Sequence, residues 1–356
     1  MSKVLMKGNE AIGEAAIRAG CLNYFAYPIT PQSEVAEYLA RRMPEVGGVF
    51  LQGESEVAVG YMLFGASAAG ERVFTTSSSP GISLMSEAVS YIAAAQCPAV
   101  FVNIMRGGPG LGGILPSQAD YLQATKGIGH GDFRLLVMAP ASVQEAVEMV
   151  MLAFPLAEKY RNPVMILGDG LIGQMMEPVE FPDNLKSEPS NKDDWATSGM
   201  DHRSSDSRNL VRSLLLEATE LNDHNLLLKG KYDRMCEAEV RFESYNLDAD
   251  YRGLIVSYGT MSRVCRTAID TLREEGIEVG MIRPQTLFPF PINAVGDAAA
   301  KDSCRHVVSI EMSMGQMVED VERAVKGRIP VSWYGKCGGE VPTPEEIIDL
   351  IKQRIA

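Results

Sequence analysis

Three short segments of the sequence pair charge-handling side chains with backbone that can approach a ligand. The first, Tyr27-Pro-Ile-Thr-Pro-Gln-Ser-Glu34, brackets Thr30 with two prolines directly after the apolar run Tyr24-Phe25-Ala26. Thr30 is a good N-cap, Pro31 suits a first helical position and Glu34 a first turn. A helix is therefore expected to start at Thr30 and run through Val35, Leu39 and Arg42. The unpaired N–H groups of its first turn would make an anion site, although most caps of this kind only start a helix. The second segment, Gln52-Gly-Glu-Ser-Glu56, hands an apolar strand over to an apolar helix. A carboxylate placed there is partly desolvated, which favours its protonated form and suits proton exchange with a ligand. The plainer alternative is a pair of carboxylates complementing the helix dipole. Being two apart, Glu54 and Glu56 face different ways, so at most one points inward. The third segment, Arg106-Gly-Gly-Pro-Gly-Leu-Gly-Gly113, ends the buried run PAVFVNIM. A guanidinium there meets either an anion or a structural carboxylate. The glycines lack the strand-to-helix placement of a dinucleotide fingerprint and the lysine of a P-loop. They read as a loop that lets backbone approach a ligand, or as a lid.

Other chemistries find little support. The six cysteines form no CxxC pair, which leaves out zinc-ribbon and ferredoxin-type cluster motifs, and the four histidines are too dispersed for a metal or triad. No metal-ligating residue is assigned. The net charge of −13 argues against a nucleic-acid surface. The first residues lack an apolar signal core and no later run approaches a membrane span, so a cytoplasmic protein without membrane contact is expected.

These segments need a scaffold, and the periodicity supplies one. Expected helices at 9–19, 54–69, 81–96 and 142–160 alternate with short apolar runs such as RVFTTS, PAVFVNIM, FRLLVMAP and NPVMILGD. That alternation implies an α/β fold with a parallel sheet covered on both faces, whose ligands collect at the carboxyl ends of the strands. The division expected is a first domain over 1–180, a polar linker with connecting helices over 181–250, and a smaller α/β domain over 251–356. Within the middle part, 182–208 reads as exposed linker, and 209–216 and 222–245 as amphipathic helices.

Taken together, KGNEAIGEAAIRAG, YPITPQSE, SEVAVGYMLFGASAAG, TTSSSPGISLM, RGGPG, SQADYLQATKGIGHGD and NPVMILGDG resemble the alpha subunit of 2-oxoacid:ferredoxin oxidoreductases. VSYGT and IRPQTLFPFP extend the match over nearly the whole chain. LMKGNEA, PSQADY and GDGLIGQMMEP are closest to the branched-chain, 2-oxoisovalerate type. The resemblance implies a first domain of the pyrimidine-binding type found in thiamine-diphosphate enzymes and a second like the transketolase C-terminal domain. It implies thiamine diphosphate with Mg²⁺, held largely by a beta subunit, 4Fe-4S clusters in partner chains, coenzyme A as co-substrate, gamma and delta subunits, and ferredoxin as electron acceptor. Gly168-Asp169-Gly170 resembles the start of the metal signature of such enzymes, but the polar stretch before Asn191 replaces the strand that the signature needs.

Residue roles follow from the same resemblance. The activating glutamate lies ten residues before the alanine of Gly65-Ala66, which selects Glu56; its carboxyl would bond the aminopyrimidine and favour the tautomer that deprotonates the thiazolium carbon. Pro28 and Ile29 would lie along the cofactor. Thr30 and Arg106 would clamp the carboxylate of the 2-oxoacid and orient its keto carbon. A branched substrate needs an apolar pocket and 2-oxoglutarate a second cation, for which Lys126 and His130 are available. The rival readings are therefore a 2-oxoglutarate enzyme, or a non-catalytic scaffold that docks the beta subunit.

Overall fold

The computed structural model describes residues 3–199 and 208–355. The chain opens with β1 (Val4–Lys7), α1 (Gly8–Arg18), β2 (Asn23–Ala26), α2 (Ser33–Glu45), β3 (Val49–Gln52) and α3 (Glu56–Ala68). It continues through β4 (Val73–Ser77), α4 (Ser79–Leu84), α5 (Ser86–Ala94) and β5 (Ala99–Met105). Then come β6 (Leu136–Met138), α6 (Val143–Tyr160), β7 (Pro163–Asp169), α7 (Gly170–Gln174) and β8 (Met176–Val179). The strands β4, β5, β6 and β7 are buried along their whole length. A strand buried on both faces cannot alternate in polarity, which is why these runs read as continuous apolar stretches. They pair in parallel in the order β6-β7-β5-β4-β2-β3.

The remaining elements are α8 (Ala218–Ala238), β9 (Phe242–Tyr245), β10 (Gly253–Val256), α9 (Gly259–Glu274), β11 (Val279–Pro284) and β12 (Thr286–Phe288). After them follow α10 (Ile292–Ala299), β13 (His306–Glu311), α11 (Val318–Val325), β14 (Val331–Gly335) and α12 (Pro344–Ile355). A second sheet runs β14-β13-β10-β11-β9, parallel except for β9 at its edge. The proline-rich stretch after β11 is not merely a turn. Its β12 crosses over and pairs antiparallel with β6, adding an edge strand to the first sheet.

Polar contacts also join the two sheets. Gln118 donates Nε2 to the Tyr258 carbonyl at 2.9 Å and accepts the Met312 N–H at 2.9 Å. Arg283 forks onto Glu145 at 2.9 and 2.6 Å. Burial pushes the Glu145 carboxyl up, but the hydrogen bonds and charge of Arg283 outweigh it and hold the group below its ordinary value.

Two expectations in the middle of the chain need correction. Residues 209–216 are not helical: Leu210, Leu214 and Leu216 alternate along an irregular segment and remain exposed, and α8 starts at Ala218. Phe242–Tyr245 is strand rather than helix, because it completes the edge of the second sheet against β11. The stretch 182–199 is exposed over most of its length, as expected of a linker, and is tied to the first domain at a few points. Arg72, paired with Glu158 at 2.7 Å, donates to the carbonyls of Ser187 at 2.7 Å and Glu188 at 3.1 Å, and Ala196 is fully buried. His202 and the rest of the polar stretch over 200–207 lie outside the described residues. Among the described residues no helix is long and apolar enough to cross a membrane.

Candidate active site

Thr30, Glu56 and Arg106 follow the carboxyl ends of β2, β3 and β5 of the first sheet. Ser55 caps α3, its Oγ accepting the Ala58 N–H at 3.2 Å, and this fixes Glu56 as the first helical residue. Glu56 is buried and Glu54 exposed, so the two carboxylates do part ways. Across from Glu56 stands Gly81 of α4: a Cβ on Gly81 would lie 2.7 Å from Glu56 Oε1 and 2.2 Å from Ser77 Oγ. Only a glycine leaves room for that carboxylate. Among the described residues none donates a hydrogen bond to it.

Buried polar atoms without partners among the described residues include Ser77 Oγ, which faces Gly81 together with Glu56, and also Ser78 Oγ, Asn103 Oδ1, Arg106 Nε, Gln32 Nε2 and Asn9 Oδ1. Each such atom costs about 1–3 kcal/mol if left unpaired. Those at the strand ends fit a site whose polar ligand completes them. Neither serine nor Asn103 was singled out from sequence, although a serine run ending a buried strand before Pro80-Gly81 is a usable signal.

Thr30 does not cap a helix. It lies in an exposed turn, and the helix begins at Ser33 with Gln32 as its N-cap residue. The carbonyls of this turn are taken instead by side chains from distant parts of the chain. Thr30 O accepts Arg106 Nη1 at 2.9 Å, and Pro31 O accepts Asn9 Nδ2 at 2.8 Å and Gln174 Nε2 at 3.1 Å. Gln32 in turn accepts Thr76 Oγ1, itself within 2.7 Å of the Tyr24 hydroxyl, which ties the start of α2 to β4. Thr30 and Arg106 are thus brought together. Pro28 is exposed and Ile29 half-buried on the same turn.

Arg106 is buried, and its second arm, Nη2, donates to Leu111 O at 3.0 Å. The glycine loop is fastened by this bond and by its own closure, Gly113 N–H to Gly107 O at 2.9 Å. Gly112 has φ +59°, and a Cβ there would meet Gly107 O at 1.8 Å. From behind, Ser79 Oγ accepts the Arg106 N–H at 3.1 Å and donates to Asp120 Oδ2 at 2.6 Å, which also takes Asn103 Nδ2 at 2.9 Å. Burial raises the Asp120 carboxyl above the usual range, against the two hydrogen bonds it accepts. Asp120 is a positioning group that sequence reasoning missed.

The other candidates are occupied elsewhere. Asp169 caps α7 through the Leu171 and Ile172 N–H groups and accepts Thr260 Oγ1 at 2.8 Å, so its carboxylate is engaged in structure. Lys126 Nζ bonds both oxygens of Asp320, at 2.7 and 2.6 Å. The His130 ring packs edge-on against Tyr91. Among the described residues no group of three His, Cys, Asp or Glu side chains could hold a metal ion.

The family described as pyruvate flavodoxin/ferredoxin oxidoreductase, thiamine diP-bdg, matches residues 14–218, and pyruvate:ferredoxin oxidoreductase core domain II matches 249–347. The fold is also shared with a split-gene transketolase, at TM-score 0.62 and 16% identity over 98% of each chain. The class is therefore an α/β thiamine-diphosphate-binding fold of the pyrimidine type, with a smaller transketolase C-terminal-like domain.

More specific likenesses narrow this. The chain is 46% identical over 354 residues to the ketoisovalerate oxidoreductase subunit VorB of Methanothermobacter thermautotrophicus, covering 99% of this chain and 98% of that one. It is 35% identical to the 2-oxoglutarate synthase subunit KorA of the same organism, over 97% of each chain. A solved 2-oxoglutarate:ferredoxin oxidoreductase from Magnetococcus marinus, with 2-oxoglutarate, coenzyme A and succinyl-CoA bound, superposes at TM-score 0.86 with 27% identity. This chain is covered completely and spans 66% of that one. The chain belongs to the 2-oxoacid:ferredoxin oxidoreductase family and is an alpha-type subunit of such an oxidoreductase.

Proposed function

We propose that this chain serves the oxidative decarboxylation of a branched 2-oxoacid, 2-oxoisovalerate, with coenzyme A, to acyl-CoA and CO₂, two electrons passing to ferredoxin. The observation that carries the reading is the buried Glu56 carboxylate, without a donor among the described residues, beside the orphaned hydroxyls of Ser77 and Ser78. These atoms fit the polar edge of an aminopyrimidine. Thiamine diphosphate, when bound, supplies the nucleophilic carbon that attacks the keto group. Glu56 holds and exchanges a proton at the cofactor's ring nitrogen, and Pro28 and Ile29 form the turn beside it. Arg106, with Nε free and its two other arms on Thr30 O and Leu111 O, offers the substrate carboxylate a charge fixed in direction. Thr30 adds an exposed hydroxyl on the same turn.

Substrate class follows from charge. A second substrate carboxylate needs a second cation, and Lys126 is held by Asp320. A branched aliphatic side chain needs none. The pyrophosphate and Mg²⁺ fall to a beta subunit, for which the exposed Leu84, Leu111, Ile114 and Leu115 near Arg106 provide an apolar rim. The 4Fe-4S clusters fall to gamma or delta partners, and the assembly is cytoplasmic. The test is dye reduction by the complex purified anaerobically with this chain, given coenzyme A and either 2-oxoisovalerate or 2-oxoglutarate. Faster turnover of 2-oxoisovalerate supports the reading; preference for 2-oxoglutarate replaces it with the rival substrate.

A further inference from the structure

A cavity of about 530 Å³ opens between the end of α6 and the middle of α8, lined by Lys159, Arg161, Leu227, Lys231, Arg234 and Glu237 among others. Gln96 and Arg161, also in its wall, stand just before β5 and β7, so it lies at the amino ends of the strands, opposite Glu56 and Arg106. In a chain of net charge −13, four cations facing one carboxylate are out of character. Lys159 is neutralised by Glu239 at 2.7 Å. The other three are not paired with any carboxylate among the described residues. Arg161 donates Nε to Gln96 O at 3.1 Å and lies over the Trp195 ring at 4.5 Å.

Lys231 is the anomaly. It is 3% exposed, and its ammonium donates to one acceptor, the Arg161 carbonyl at 3.1 Å. A buried ammonium normally needs an opposite charge, because desolvation otherwise costs several kcal/mol. Here burial, and after it the charges of Arg161 and Arg234, depress the lysine to about 7, with Cys97 opposing. An oxyanion in the cavity would supply the missing charge.

We propose that this cavity is a binding site for a phosphate oxyanion, free or as a small phosphate ester, held by Lys231, Arg161 and Arg234. The guanidinium groups would offer directed donors and Lys231 a point charge. The site is independent of the oxoacid chemistry proposed above, since it shares no residue with it. The competing account is that Lys231 only caps the carboxyl end of α6, where Arg161 sits in the left-handed region.

The experiment uses the assembled complex and its Lys231→Met and Arg234→Ala variants, in sodium phosphate or in sodium chloride of matched ionic strength. Melting temperature and calorimetric titration with phosphate are read, then repeated with a small phosphate ester. The wild type is expected to bind phosphate and to melt higher in phosphate than in chloride. Arg234→Ala should weaken phosphate at least roughly tenfold. Lys231→Met should lose the phosphate response and, with no unpaired ammonium left to bury, melt above wild type in chloride. Turnover should be unchanged in both variants. A wild type indifferent to phosphate overturns the proposal. So does a Lys231→Met variant that binds phosphate normally and melts lower in both salts, the mark of a helix cap. Tighter binding of the ester than of phosphate would identify an organic phosphate as the occupant.

Discussion

Replacing Gly81 with alanine puts a methyl group where the Glu56 carboxylate now lies. The added Cβ would stand 2.7 Å from Glu56 Oε1, 2.9 Å from Glu56 Cγ and 2.2 Å from Ser77 Oγ. Ordinary contact begins near 3.4 Å, so the carboxylate must retreat from 2.7 to 3.4 Å, about 0.7 Å, while Ser77 turns away. All three obstacles are side-chain atoms rather than backbone, which keeps the stability cost near the low end for overpacking, about 1 kcal/mol. Function is less forgiving, because a displacement approaching 1 Å at a proton-transfer group costs on the order of a hundredfold. Gly81→Ala should therefore assemble, melt close to wild type and turn over the oxoacid about a hundredfold more slowly. Anaerobic dye reduction reads the rate, and differential scanning calorimetry with gel filtration reads fold and assembly. Turnover within about twofold of wild type would refute the idea that catalysis depends on the Glu56 carboxylate in this position.

Other outcomes follow from the same geometry. Arg106→Lys loses the fork that spans Thr30 O and Leu111 O, and should raise KM for the oxoacid about 10–100-fold with a smaller change in kcat, in steady-state kinetics. Asp120→Ala removes the acceptor shared by Ser79 and Asn103 and weakens the support of Ser79 behind Arg106, so KM should rise in the same direction but less, in the same kinetics. Glu145 has its carboxyl held below the ordinary value of 4.5, so its pairing with Arg283 stabilises fully above that value. The stabilisation fades as pH falls through the lowered value. Because Arg283 keeps Glu243 at 2.8 Å, Glu145→Gln should cost only roughly 1–2 kcal/mol at neutral pH, and the deficit should shrink in strong acid, as followed by urea unfolding at several pH values.

Much of this fold was legible because its signals are local. The buried parallel strands announce themselves as apolar runs, and the helices between them as amphipathic spacing. The spacing of Glu54 and Glu56 said only that at most one of them points inward; it was the family resemblance that selected Glu56. Thr30 was misread because Thr-Pro before a helix has the chemistry of a cap, while the partners that take the carbonyls of its turn, Asn9, Arg106 and Gln174, come from distant parts of the chain. The same limit hid β12. Nothing within Thr286–Phe288 says that its partner is β6, some 150 residues earlier, rather than a neighbour in its own sheet. The apolar and polar mixture of 209–216 read as an amphipathic helix, yet Leu210, Leu214 and Leu216 stay exposed and no packing holds a helix there. Asp120 was invisible for a related reason, since its importance lies in holding Ser79 behind Arg106 rather than in any motif.

The most direct test of the central claim is Glu56→Gln in the assembled complex. The substitution keeps size and removes the exchangeable carboxyl proton. If Glu56 handles the proton at the cofactor, the complex should assemble with unchanged mobility on gel filtration and lose about 10²–10⁴-fold in turnover. A complex that assembles and keeps full turnover would contradict that role and make this chain a docking scaffold.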